Sequence, residues 1–591
     1  MRVHRLSLLA LLALLAGSLG LMPIFAASSP EESNRFVSPQ ELHHATYNAQ
    51  SVAAKAEQIT PRTSTAAITA TEALSLTLLG SYQTGIFDQS AAEIISYDPE
   101  SQTLYVVNAV RAALDMLDIS NPVSPTLKAT IDVTKFGAVA NSVAVKDGVV
   151  AVAVENTNKQ ADGVVALFDR AGKPLGSVTV GALPDMVTFT PDGTKILVAN
   201  EGEPSNNYSV DPEGSISVID ISGGVETITQ TDVISITFRD FNEGGPRNGE
   251  LDSGVRIFGP GASVAEDLEP EYIAVAPDSR TAWVTLQENN AIAILDLTNN
   301  TIKDIVSLGF KDHNTAGNKL DSSDRDQGIN IANRPLRGLY QPDSITAYST
   351  GGATYIVMGN EGDTRDYDTF SEEARVKDLT LDATIFPNAS ALQADAVIGR
   401  TVVTTATGDI DNDGAFEELY SFGARSFSIR TISGTLVFDS GDAFEQIIAA
   451  ALPNDFNSDN DENQSFDSRS DARGPEPEGV AVGTVQGREY AFIGLDRIGG
   501  IMVYDVTNPQ ASEFVTYVNN RDFSVKLGSS PTPPQVRAVG DLGPEGLLFI
   551  PVEDSPTNSA LLVVANEVSG STSIFEITPV SRGTYLPIVQ R

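Results

Sequence analysis

Residues 476–482 read EPEGVAV and residues 543–549 read GPEGLLF: a proline, a carboxylate at Glu478 or Glu545, then an apolar alternation. Five further stretches start in the same way: AAEIISY at Glu93, VANSVAV at Asn141, LPDMVTF at Asp185, EPEYIAV at Glu271 and QPDSITA at Asp343. A turn and a second apolar run follow each, and in most a third, so a unit of roughly forty residues recurs seven times with insertions. Period-two alternation bounded by turns such as Asp98-Pro99, Asp147-Gly148 and Pro191-Asp192-Gly193 marks strands. The expected fold is therefore all-β, a seven-bladed β-propeller.

The third unit supplies four strands, MVTFT, KILVAN, SISVIDI and VISITF, whereas the last stops after SALLVVAN and STSIFEI. A spare strand, SLTLLGSYQTG at about 75–85, precedes the first unit. It is expected to complete the last blade and close the ring between the two ends of the chain, which leaves only short, protected edges.

Outward from the repeats, the chain begins with Arg2, His4 and Arg5, an apolar run from Leu6, and small residues at Ala26 and Ala27. That pattern predicts a signal peptide over 1–27 and a secreted or cell-surface protein, with an uncleaved membrane anchor as the alternative. Residues 28–73, rich in Ala, Ser, Thr and Gln, read as a spacer with a short helix around Ser51 to Gln58; the propeller occupies 74–580 and a short tail 581–591. No later stretch is apolar for long enough to cross a bilayer, so no membrane span is expected in the mature chain. Acidic residues number 78 against 38 basic ones, a formal charge of -40, which argues against nucleic acid and anionic membranes as partners. Cations are the natural counterparts, although acidity also serves solubility. Without cysteine there is no disulfide, thiolate nucleophile, Cys-bound zinc or c-type haem.

In a propeller, the connection into a first strand and the loop between second and third strands lie on one face. The seven recurrent acids and amides occupy the first type of position. The second carries Asn156, Asn200-Glu201-Gly202-Glu203, Glu288-Asn289, Asn360-Glu361-Gly362-Asp363, Asp496-Arg497 and Asn566-Glu567. Insertions at 202–214, 361–425 and roughly 239–268, 310–340, 440–476 and 519–543 fall on the same face, and long loops on a rigid scaffold carry function. Carboxylates crowded around one mouth repel one another and need compensation. Oxygen-only donors favour Ca²⁺, then Mg²⁺, over zinc or copper. Candidate metal ligands are Glu271, Glu361, Asp363, Glu478 and Glu545; Glu201, Glu203, Asp343, Glu476, Arg425 and Arg473 would contact a small-molecule, protein or cell-surface ligand. The plain alternative is that these acids cap strands and bind backbone amides or Arg425, Arg473 and Arg497. Because Asn141 breaks the series and Glu269-Glu271 and Glu476-Glu478 double it, a bound cation is expected off-centre toward the fourth, sixth and seventh units.

A second calcium candidate is TGDIDNDGAFEELY, with Asp409, Asp411 and Asp413 at alternate positions, Gly414 for the turn and Glu417 or Glu418 to complete an irregular shell. Tyr420 stands where an EF-hand has its last glutamate, so an acidic surface turn is the alternative. Catalytic signatures are sparse: His313 is the only histidine of the predicted folded part, in an insertion expected to be flexible, and no catalytic set is assigned. Clustered metals could still support phosphoester hydrolysis, with Arg425 or Arg473 stabilising developing charge.

The runs GVRIFGPGASVAEDLEPEYIAV (254–275), NEGDTRDYDTFSEEARV (360–376), GDIDNDGAFEELYSFGARSFSI (408–429) and RGPEPEGVAV (473–482) resemble the bacterial choice-of-anchor I family, whose members are similar to mesenchyme-specific cell surface glycoproteins. The resemblance covers about 74–578. It implies a secreted or surface β-propeller with varied anchoring signals and no established reaction; some relatives carry phosphatase or nucleotidase labels, and phytase-like propellers use calcium clusters, which makes a calcium-dependent phosphoesterase the alternative to a binding module.

Overall fold

The four strands Val139–Lys146, Val149–Glu155, Asp162–Asp169 and Pro174–Ala182 show why the repeats fold as they do. Along the second strand, Val150, Val152 and Val154 turn to one side and Ala151 and Ala153 to the other. Both sets are fully buried, each in a different apolar cluster, so the sheet is covered on both faces. The computed structural model describes residues 73–580 except residue 529. The expected signal peptide, spacer, helix and tail lie outside the described residues.

Among the described residues, seven sheets have four strands each, one has five and one has two. The inner strands of the seven are Ile95–Asp98, Val139–Lys146, Pro184–Phe189, Pro270–Val275, Ile345–Thr350, Pro477–Val485 and Pro544–Ile550. Each touches the next in chain order, and the last touches the first. Seven apolar clusters occupy the spaces between successive sheets; one packs Ile95, Leu104 and Leu117 of the first sheet against Ile550, Leu561 and Ile574 of the seventh. The seventh sheet takes its outer strand, Ala73–Gln83, from the start of the described chain. That strand pairs antiparallel with Ser571–Val580, from Leu74 opposite Pro579 to Gln83 opposite Ser571.

The insertions build structure of their own. Phe310–Asp312, Arg337–Leu339, Tyr420–Ser421, Val402–Thr404 and Glu373–Arg375 form the five-stranded sheet, over a core of Leu320, Leu336, Val376, Ile398, Val403 and Leu419. The 361–425 excursion adds no repeat, because Ala353–Asn360 pairs directly with Ser426–Thr431 across it. His313 corrects the expectation of a flexible insertion. It is buried, its Nδ1 lies 2.7 Å from the Asn318 carbonyl oxygen, and burial, then Lys311, pushes its pKa down to about 3. A neutral, enclosed imidazole of this kind is scaffold.

Candidate metal centre

A β-bulge places three of the sequence-predicted acids, Glu271, Glu478 and Glu545. Pro270, Pro477 and Pro544 open their strands opposite Leu286, Leu495 and Asn566, positions where a missing N–H is tolerated. The register then slips immediately, between Pro270 and Ile273, Pro477 and Val480, and Pro544 and Leu547. Glu271, Glu478 and Glu545 fall within the slips, as do Asp185 and Asn141 in theirs. The extra residue of a bulge bends the strand and re-aims its side chains, here before each inner strand begins its regular pairing.

Close approach of neighbouring inner strands crowds these acids further. A Cβ at Gly479 would overlap the Glu545 carbonyl oxygen, and one at Gly546 would overlap that of Glu93. Ser344 Oγ donates to the Glu478 carbonyl, and Thr285 Oγ1 to that of Asp343 at 2.9 Å. Backbone is thus stacked on backbone from the fifth sheet through the sixth and seventh to the first.

Two buried carboxylate triads result. Asp343, Glu361 and Glu478 bring one oxygen each within 4.8 Å of one another, as do Glu93, Glu545 and Glu567. In the first triad Gln287 Nε2 donates to Glu361 Oε2 at 2.8 Å, and Asp343 hydrogen-bonds the Glu271 side chain. Burial, followed by Asp363, pushes Asp343 up to about 6; burial, then Asp343 and Asp363, takes Glu361 to about 8. Glu478 and Glu545 rise well above the usual range, again mainly through burial and then through neighbouring carboxylates. Glu361, Glu478 and Glu545 therefore favour the protonated form at neutral pH unless a cation takes the proton's place, whereas Asp343 is largely ionised there. A third triad, Asp409, Asp411 and Glu417, is more exposed. Asp413 is not in it: its Oδ1 accepts from the Ala415 amide at 2.8 Å.

Other sequence candidates serve as internal partners. Arg425 donates to Glu445 Oε1 at 2.7 Å and to the carbonyls of Asp321, Ser470 and Ala472, so its guanidinium is taken up by scaffold. Glu476 receives Arg469 at 2.6 Å and Arg497 at 2.8 Å, with Arg473 at 3.9 Å. Arg473 also binds the Gly362 carbonyl at 2.6 Å and lies 3.3 Å from Asp363 Oδ1. Lys159 pairs with Glu203, whose Oε1 accepts from Tyr367 at 3.1 Å. Glu201 is buried close enough to raise the Asp343 pKa.

The triads lie between sheets five and six and between seven and one, so sheets six and seven each contribute acids and sheet four contributes none to them. The extra acid of each doubled pair is matched: Glu476 as above, and Glu269 by Arg365 at 3.2 Å, which also binds Asp267 at 2.8 Å. Glu93 and Glu567 were not singled out as ligands from sequence, although each carries one of the recurrent signals: Glu93 is the acid before a first strand and Glu567 belongs to an Asn-Glu loop.

Among the described residues, no helix is long and apolar enough to cross a membrane. Gigasin-3a from Magallana gigas is 31% identical over 192 residues, 32% of this chain and 67% of that protein. Mesenchyme-specific cell surface glycoprotein from Strongylocentrotus purpuratus is 33% identical over 301 residues, 44% of this chain; the chain spans only 37% of its length. Among solved structures, the Myceliophteria thermophila Cps50 (Swd1) β-propeller domain covers 85% of this chain and all of its own, at 8% identity and a TM-score of 0.41. The fold rests on the sheets themselves. Residues 93–509, more than half of the sequence, match the choice-of-anchor I domain, and the chain belongs to that family.

Proposed function

We propose that this chain is a secreted or cell-surface seven-bladed β-propeller, closed by Ala73–Gln83, which binds calcium and uses its acidic, loop-rich mouth to hold a small-molecule or protein ligand. The observation that carries the reading is the convergence of Asp343, Glu361 and Glu478, buried carboxylates from two neighbouring sheets, within 4.8 Å. The seven four-stranded sheets and the cycle of inner-strand neighbours support the ring. Surface location is supported by the residue pattern of 1–27 and by the similarity to the cell surface glycoprotein of Strongylocentrotus purpuratus.

Metal analysis of the purified protein, followed by calcium titration after chelation, tests the reading. Wild-type protein should bind Ca²⁺, and Glu478→Gln should lose at least tenfold in affinity at this triad. If chelation changes neither melting temperature nor protease sensitivity of the loops, calcium has no role. Asp411→Ala should remove one bound ion if the 409–417 loop is a site.

Arg473 favours a second reading, metal-dependent phosphoester hydrolysis, because its charge acts on Glu361 beside the triad. A cation and a guanidinium at one mouth would present two positive groups to a phosphoryl oxygen. Turnover of p-nitrophenyl phosphate or phytate that requires Ca²⁺ and disappears in folded Glu478→Gln would establish it. Calcium binding without turnover of either would leave the binding module.

A further inference from the structure

The second buried triad lies where the beginning and end of the described chain meet. The segment between Gln83 and Ile95 leaves the outer strand of the seventh sheet and runs along that sheet's 566–570 loop. Thr84 donates to the Gly570 carbonyl through both its amide, at 3.0 Å, and its Oγ1, at 2.8 Å; the Asp88 amide donates to Val568 at 2.7 Å. Ser90 Oγ then donates to Glu567 Oε2 at 3.2 Å, and the segment ends at Glu93. The Glu93 amide donates to the Val107 carbonyl of the first sheet at 3.2 Å, whereas Glu545 lies in the inner strand of the seventh and Glu567 in that sheet's 566–570 loop.

Glu545 supplies an independent observation. It is 4% exposed, and its Oε2 has no hydrogen-bond partner. A buried carboxylate oxygen left so is costly, and in native proteins such an atom calls for a counterpart. Within 4.8 Å of one of its oxygens lie two further carboxylates, Glu93 and Glu567, which cannot donate when ionised.

We propose that Glu93, Glu545 and Glu567 hold a divalent cation, Ca²⁺ in preference to Mg²⁺, that clasps the seam between the first and seventh sheets. Three carboxylates from three separate backbone segments suit the variable coordination of Ca²⁺ better than the strict octahedron of Mg²⁺. The ion replaces mutual repulsion by shared attraction across the seam, so its binding strengthens contact between the two ends of the described chain. This site is independent of the Asp343–Glu361–Glu478 triad and stands if that one binds nothing.

The test uses the full-length purified protein, stripped by a chelator and dialysed against Ca²⁺ alone. In wild-type protein, Ca²⁺ should slow amide exchange at 84–93 and 566–570 at least tenfold and raise the melting temperature. Glu545→Gln, which keeps the side-chain volume, should lower the ion count by one and abolish the seam protection, whereas Glu361→Gln should keep it. Glu567→Gln repeats the measurement should Glu545→Gln not fold. The same ion count in both seam variants as in wild type, or protection by Ca²⁺ undiminished in them, would overturn the proposal, as would Mg²⁺ giving equal protection at equal concentration for the choice of ion.

Discussion

Glu476 is fully buried, with a left-handed backbone (φ 49°), and is surrounded by Arg469, Arg497 and Arg473. Burial alone would push its carboxyl up, but the three guanidiniums outweigh it and hold the pKa below the usual range. Its contribution to stability is accordingly full above about pH 4.5, the ordinary value, and fades as pH falls toward the depressed one. Glu476→Ala leaves buried guanidiniums uncompensated and should cost about 3–5 kcal/mol, read from denaturant unfolding at pH 7; a loss below about 1 kcal/mol would mean that water or other acids already satisfy the arginines. Asp467 has the opposite sign. Burial, then Asp321 and Asp326, pushes it up to about 8, so its stabilising contribution is present at low pH and lost as pH rises from about 4 through 8. Asp467→Asn keeps an acceptor for Ser470 Oγ, 2.6 Å away, and should come close to wild type in melting temperature near pH 4, at the start of that window, while exceeding it at pH 8.5. Equal melting temperatures at both pH values would show that Asp467 does not titrate in this range.

The strands were legible because alternation survives in them: Val150, Val152 and Val154 against Ala151 and Ala153 is a pattern that only a two-faced sheet needs. The bulges were not, since an extra residue changes neither composition nor periodicity enough to be noticed, yet the bulge aims Glu271, Glu478 and Glu545. Equally hidden was the pairing of Glu269, whose partner Arg365 lies almost a hundred residues downstream in an insertion. The five-stranded accessory sheet escaped because its strands are two or three residues long, too short to show a period. A glycine follows the acid in PEG at both 477–479 and 544–546. The structure gives it a reason, since Gly479 faces the Glu545 carbonyl oxygen and Gly546 that of Glu93. Gly479→Ala should therefore part the sixth and seventh inner strands, destabilising the fold by about 1–3 kcal/mol in thermal unfolding. A neutral effect would require the two strands to separate without loss of packing.

Over the whole molecule, each sheet shares an apolar cluster with the sheet on either side, and the contact between first and seventh sheets is made by the same kind of residues as the rest. What differs at that seam is continuity. Elsewhere four strands of a sheet follow one another, although the fifth is interrupted by its insertion; the seventh alone recruits its outer strand from the far end of the described chain. The recruited strand buries Leu74 and Leu76 beside Phe575 and Ile577 of its own sheet and Tyr490 and Val518 of the sixth. Full burial of two leucines is worth about 3–6 kcal/mol, and the strand also covers the backbone donors and acceptors of Ser571–Val580. A chain beginning at residue 84 should thus keep its first six sheets but expose one long edge. It should unfold at markedly lower temperature and associate through that edge, giving concentration-dependent species in size-exclusion chromatography. Adding a synthetic peptide of residues 73–83 should restore the monomer and much of the melting temperature. A truncated chain that stays monomeric with an unchanged melting temperature would show that the first described strand is dispensable to the seventh sheet.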